Sequence, residues 1–263
     1  MKKLAILLLL IPTISFSQGK LDKAKDNLSS RSSSSSSSGS NSNKGSSVGG
    51  AGVGFFGDVI IELFAFIGYK AAFGEWEYRH FTPYPYYYNN VNGEYDFGLQ
   101  TGDKTDQFRL GTNYLLGNNI NSFELNARYR FDPLWGIELN HQSFFEDTRD
   151  GVDYLDVTSI GFNYYRIRER AVTAWWGVGV SYVGTDVATL GVMYNVGTEI
   201  YPLKPISLHV SFQQALINES NVGTLRTQLK YHRKKTAYYL GYHNISLGGI
   251  KASGAVLGLE FIF

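Results

Sequence analysis

The sequence contains no cysteine, which excludes a disulfide scaffold, a thiolate metal site and a lipid-modified N-terminal cysteine. An excess of charge of either sign is also missing. Lys and Arg total 24 against 23 Asp and Glu, a net charge of +1, whereas a nucleic-acid partner would ask for a basic surface. The five histidines are scattered, so no metal site and no cofactor is expected. Residues 177–180 (GVGV) and 49–54 (GGAGVG) are strand and linker glycines; no glycine-rich loop follows a strand and opens a helix, as a phosphate cradle requires. Mean hydropathy is −0.17, and no apolar run reaches the roughly 20 residues of a spanning helix. A helical membrane protein is therefore excluded.

What the chain has in quantity is glycine and aromatics: 29 Gly, 19 Tyr, 17 Phe and 4 Trp. Together they point to many strands with rings at a membrane–water boundary.

Residues 1–17 read as a secretory signal peptide. Lys2 and Lys3 are the charged region, Leu4 to Ile14 the apolar region, and Ser15-Phe16-Ser17 a small-x-small cleavage site. Residues 18–52 form a Ser/Gly-rich disordered linker, with an unbroken serine run from Ser32 to Ser38 that cannot bury enough apolar surface to offset ordering entropy. Residues 53–100 are expected as an amphipathic and aromatic periplasmic segment. Within it, residues 53–74 place Asp58, Glu62 and Lys70 on a narrow face of a helix, and Pro83 and Pro85 block both a helix and a paired central strand among the tyrosines of 81–90.

From residue 101 onward the period is two. Ten strands are expected, at 106–116, 120–131, 135–145, 154–166, 171–183, 188–201, 206–216, 223–233, 236–247 and 254–263, with eight to twelve as the range. The alternation is clearest where Phe123, Leu125, Ala127, Tyr129 and Phe131 oppose Glu124, Asn126, Arg128 and Arg130. Segments of about ten alternating residues separated by turns are the signature of an antiparallel transmembrane β-barrel. Tight connections follow strands two, four, six and eight. The others, at 117–119, 146–153, 184–187, 217–222 and 248–253, are mostly longer and richer in Gly, Asn and Asp, so the C-terminal end is placed in the periplasm. Phe131, Trp135, Phe145, Tyr182, Tyr201, Tyr231 and Phe263 are expected as outward interfacial rings. A soluble barrel of lipocalin type also alternates, with the apolar face turned inward.

The other face carries Arg109, Glu124, Arg128, Arg130, Glu138, Glu199, His209, Arg226, Lys230 and Glu260. In a barrel of this size side chains nearly fill the lumen, so these residues form either an interior ion-pair network or the lining of a narrow pore. His141 and Ser143 share the parity of the lipid-facing residues Ile137 and Leu139. Their spacing resembles the pair used by outer-membrane lipid A deacylases, which implies a nucleophile and base with Asp153 or Asp156 as the supporting carboxylate. The small residues that flank the pair in that family are absent, since Phe144 and Phe145 follow directly. Residues 146–153 form an acidic stretch, expected as a solvated outer loop near cation-bridged lipopolysaccharide, with oxygen ligation of calcium as the sharper reading.

The last ten residues, GAVLGLEFIF, set Ala255, Leu257, Leu259, Phe261 and Phe263 on one face and Glu260 on the other. This strand resembles the closing strand of small Gram-negative outer-membrane β-barrel proteins. The resemblance implies that Phe261 and Phe263 act as the assembly signal. It further implies an outer-membrane location and, as partners, outer-membrane lipid, lipopolysaccharide and the outer-membrane assembly machinery. The expected function is structural or interaction-type with a filled lumen. The alternatives are a small-solute pore and a lipid-modifying enzyme using His141 and Ser143.

Overall fold

The computed structural model describes residues 19–30, 80–88, 93–96, 104–148, 151–184 and 186–263. Residues 1–17, expected as a signal peptide, and 53–74, expected as an amphipathic helix, lie outside the described residues. Ten strands form a closed antiparallel barrel: β3 (Gln107–Gly117), β4 (Ile120–Asp132), β5 (Trp135–Thr148), β6 (Gly151–Arg168), β7 (Val172–Val183), β8 (Thr189–Leu203), β9 (Ile206–Ile217), β10 (Ser220–Arg233), β11 (Thr236–Leu247) and β12 (Ile250–Ile262). Each pairs with the next, and β12 returns to β3 with Leu257 opposite Tyr114 and Glu260 opposite Gly111. Closure leaves no unpaired edge, the condition for a sheet that spans lipid. Two shorter pieces precede the wall: a helix α1 (Lys20–Ser29), and a two-stranded ladder of β1 (His80–Phe81) and β2 (Tyr95–Asp96).

The expected strands are present, with corrected ends. Strands extend into the connections that were expected to be longer, so that 146–153 shrinks to the residues between Thr148 and Gly151, and 217–222 and 248–253 become two-residue turns. The 18 residues of β6 exceed the roughly 9–11 that cross hydrocarbon. The difference in loop length between the two ends is therefore small, and loop length no longer orients the barrel.

Period two dictates the wall. On β12 the exposed set is Ala255, Leu257, Leu259, Phe261 and Phe263, while Val256, Glu260 and Ile262 are buried. The same rule turns Leu139, Ile160, Val178, Val180, Leu240 and Leu229 outward, each 39–58% exposed. A continuous apolar exterior of this kind far exceeds what a soluble monomer shows. Rings crowd the exterior near the C-terminal end, where Trp135 stacks on Phe162 at 5.2 Å and packs on Tyr164 at 4.5 Å. Tyr201 corrects the expectation of an outward ring: it is fully buried. It shares parity with the inward Glu199, so period two itself places it inside. Register shifts at Arg130/Asp132, Tyr164/Ile167 and Ile200/Leu203 all fall at this same end, where bulges commonly end the ladder of a barrel rim.

Inside, glycines make room for large rings. A Cβ on Gly197 would stand 2.3 Å from Trp175 Cζ2, and one on Gly258 2.3 Å from Tyr239 Cζ. Gly197→Val is therefore expected to cost about 1–3 kcal/mol by overpacking. Gly223→Ala, with open space around it, is expected to leave the urea midpoint in lipid unchanged.

Candidate functional site in the barrel interior

The described residues of the segment before the wall, 80–88 and 93–96, lie inside the barrel mouth. Phe81, Tyr86 and Tyr95 are buried in the mouth that carries the C-terminal residue, and Phe81 stacks on Tyr95 at 5.6 Å. The prolines explain the brevity of the ladder: β1 ends at Phe81, Pro83 and Pro85 follow, and the chain turns through a left-handed Tyr86 (φ 63°). The Tyr86 hydroxyl donates to the carbonyls of Leu203 and Ile206, on either side of the β8–β9 turn. Its titration is pushed up by burial and by the nearby Glu199 carboxylate.

Between the two strands of this ladder stands Glu94, 3% exposed. Its carboxylate accepts from Arg109 Nη2, from Arg130 Nη1 at 2.8 Å and from Thr173 Oγ1 at 2.9 Å. Arg130 is sandwiched further. Its guanidinium lies 3.7 Å from the Tyr165 ring centre and 4.5 Å from that of Phe81, and donates to the Tyr95 hydroxyl and to the Pro133 carbonyl at 2.7 Å. One carboxylate from outside the wall thus joins two arginines from neighbouring strands.

The network continues up the lumen. Glu260 accepts from Arg109 at 3.2 Å and Lys230 at 3.0 Å. Glu199 lies 3.5 Å from Lys230, 3.4 Å from Arg109 and 3.9 Å from His209 Nδ1, and accepts from Ser207 at 2.9 Å. Higher, Glu138 holds Arg128 at 3.3 Å together with the amides of Asn126 and Asn163. Glu124 takes two bonds from Arg226, at 2.6 and 3.1 Å, and one from Asn113 at 2.9 Å. All ten interior residues named from the sequence point into the lumen. Five of them (Arg109, Arg130, Lys230, Glu199 and Glu260) meet around or just above Glu94. Arg128 with Glu138, and Arg226 with Glu124, make two further pairs. A charge taken out of water is tolerable only when paired and hydrogen-bonded, and these pairs meet that condition. The space left among them is a polar cavity of about 30 Å³, room for roughly one or two waters.

The opposite mouth is apolar. Leu115, Phe144, Leu155, Ile217, Leu247 and Val256 turn inward there and are fully buried under α1, whose Leu21, Ala24 and Leu28 are themselves fully buried. Over Lys20–Ser29 this helix replaces the expected disordered linker, the rest of which, 31–52, lies outside the described residues. Within KLDKAKDNLS, apolar residues recur at i, i+3 and i+7, the stripe of an amphipathic helix, and the serine-rich composition downstream masks the signal. The acidic stretch is corrected too. Glu146 is fully buried and accepts the Leu21 amide N–H at 2.8 Å, and Asp153 receives Lys25 Nζ. Burial pulls the Lys25 ammonium down, but Asp153 and Asp186 outweigh it and leave the group above its ordinary value. Among the described residues no group of three His, Asp or Glu side chains is placed to hold a metal ion.

On the outer wall His141 and Ser143 do meet: Ser143 Oγ lies 3.3 Å from His141 Nε2, and His141 Nδ1 lies 2.9 Å from Thr158 Oγ1. Asp153 faces the interior, bonded to Lys25, and so cannot support His141. Asp156 sits across from Ser143 on the neighbouring strand. The interior residues that sequence reasoning missed are Glu94, Trp175, Tyr239 and the asparagines 140, 163 and 195. The asparagines share the inward parity and were legible by it; Glu94 carried no local signal.

No family model matches the chain, and no curated protein matches it. Solved structures to which the chain is similar include the following three barrels. The first is the outer-membrane protein Ail of Yersinia pestis in a phospholipid nanodisc (16% identity, TM-score 0.35, 60% of this chain and 98% of that one). The second is the KdgM porin (11%, 0.35, 59% and 99%). The third is the N-terminal β-barrel domain of Pseudomonas aeruginosa OprF (10%, 0.32, 60% and 97%).

Proposed function

We propose that the chain is an outer-membrane β-barrel of structural or interaction type whose lumen is sealed. The observation that carries this reading is a pair of ion-paired layers, Glu94 with Arg109, Glu260 and Lys230, and Glu124 with Arg226, separated by a cavity of about 30 Å³ and covered at one end by the β1–β2 ladder and at the other by α1. The apolar exterior supports insertion in lipid. A gel of unboiled and boiled samples, run with cell fractionation, tests it. A folded barrel migrates differently unboiled and fractionates with the outer membrane; recovery in the soluble periplasm or the inner membrane would contradict it.

One observation favours a second reading, a lipid-modifying enzyme. A serine hydroxyl bonded to an imidazole, itself held by a hydroxyl, is the arrangement of a nucleophile and its base, and both groups stand on the lipid-facing wall. If this pair acts, Ser143→Ala abolishes release of fatty acid from outer-membrane lipid while the barrel still shows heat-modifiable migration. Identical lipid acylation with the wild-type chain, the Ser143→Ala chain and no chain ends the reading.

A further inference from the structure

Helix α1 has no side-chain cap at its start, where Gly19 stands, and its last turn carries no basic residue. Its own C-terminal cap closes on one carbonyl, that of Asp26, which accepts from the Ser30 N–H at 3.2 Å and from the Ser29 and Ser30 hydroxyls. The barrel adds a bond at each end: Glu146 accepts the Leu21 N–H, and Asn218 Nδ2 donates to the Leu28 carbonyl at 2.6 Å. Lys25 reaches Asp153 and Asp186, and Asn27 donates to the Gly248 carbonyl at 2.7 Å. Gly248 approaches so closely that a Cβ there would stand 3.0 Å from the Ala24 carbonyl oxygen. These partners come from β5, β6 and three of the turns at this mouth, and beneath them lies a cluster of buried apolar side chains. The wall thus meets an N–H of the first turn, a carbonyl of the last turn, a lysine, and apolar residues at i, i+3 and i+7. Ten residues are too few for a helix stable alone in water, so α1 folds as it docks. An occupant that must fold in order to bind gives up part of its interaction to ordering and is exchangeable.

We propose that the α1 mouth is a receptor site for a short cationic amphipathic helix, and that α1 is a tethered occupant which a helix of the same pattern on a partner protein displaces. The partner carries Leu, a small apolar residue, Lys and Leu at i, i+3, i+4 and i+7. The acidic rim of Asp153 and Asp186 fits that charge, and the i, i+3, i+7 anchors are the usual way a helix seats in an apolar groove. The inference rests on the interaction-type reading above.

The test uses the full chain with a protease site placed within the serine run 32–38. The chain is folded in lipid, shown to be heat-modifiable, then cut, and a fluorescent peptide of residues 19–30 is added. A chain that fails the gel counts against the barrel reading; only one that passes speaks to the receptor. Saturable binding to the cut chain is expected, with half-saturation on the order of a hundredfold weaker for the uncut chain, whose own helix competes intramolecularly. The peptide with Leu21→Glu and Leu28→Glu should not bind. Retention of the cut α1 through exhaustive dialysis against the peptide, no saturable binding, or equal binding by the doubly substituted peptide would overturn the proposal.

Discussion

Glu94→Ala is expected to destabilise the folded barrel by about 3–5 kcal/mol, the usual cost of removing one partner from a buried ion pair. The reason lies in what is left behind. Arg109 and Arg130 are each 2% exposed and neither can lose its charge. Arg109 keeps Glu260 at 3.2 Å and Glu199 at 3.4 Å, but the Arg130 guanidinium keeps only neutral acceptors, the Tyr95 hydroxyl and the Pro133 carbonyl, and the rings stacked on it. Urea unfolding in lipid vesicles reads the loss. Glu94→Gln preserves shape and some hydrogen bonding and should fall between the two. The contrast is Asp186→Ala. Its carboxylate is 78% exposed although it reaches Lys25 at 3.2 Å, and an exposed pair contributes roughly 0–1 kcal/mol. Equal effects of the two substitutions would contradict the view that Glu94 completes the interior.

Ile160→Arg is expected to cost about 2–4 kcal/mol, the depth-dependent penalty of an arginine on the lipid face near the bilayer midplane. Ile160 is 50% exposed and lies between Leu139 and Val180 on adjacent strands. Tyr164 and Trp176 stand toward one end, and Tyr154 and Tyr182 toward the other. In a water-facing wall the same change would fall within roughly ±0.5 kcal/mol, as most surface substitutions do. The unfolding free energy of the two chains in lipid vesicles separates these outcomes without reference to any activity.

The wall was legible because its physics is local. A strand facing lipid outward and a polar lumen inward writes its alternation into adjacent residues, so Arg109, Glu124 and Glu260 could be turned inward by parity alone. Tyr201 obeyed the same rule and was misread because an aromatic near a strand end suggested a girdle. The covers of the two mouths were not legible, because their physics is long-range. Glu94 finds its partners on β3, β4 and β7, and nothing in its flanking residues announces them. Helix α1 is ten polar-rich residues with a three-residue apolar stripe, too weak a pattern to stand out beside a serine run. Its cup is assembled from side chains of nearly every strand. The acidic stretch 146–153 read as solvent-facing because charge suggests exposure. Two of its carboxylates turned inward to meet a helix that the composition had hidden.

Central to this account is a barrel sealed along its length, and conductance in planar bilayers tests that most directly. The wild-type chain, inserted from samples shown to be heat-modifiable, is predicted to give no reproducible conductance step, because paired side chains occupy the lumen and leave a cavity of only about 30 Å³. Steady, reproducible steps from the wild-type chain would contradict it and establish an open path past Arg109, Glu260 and Lys230.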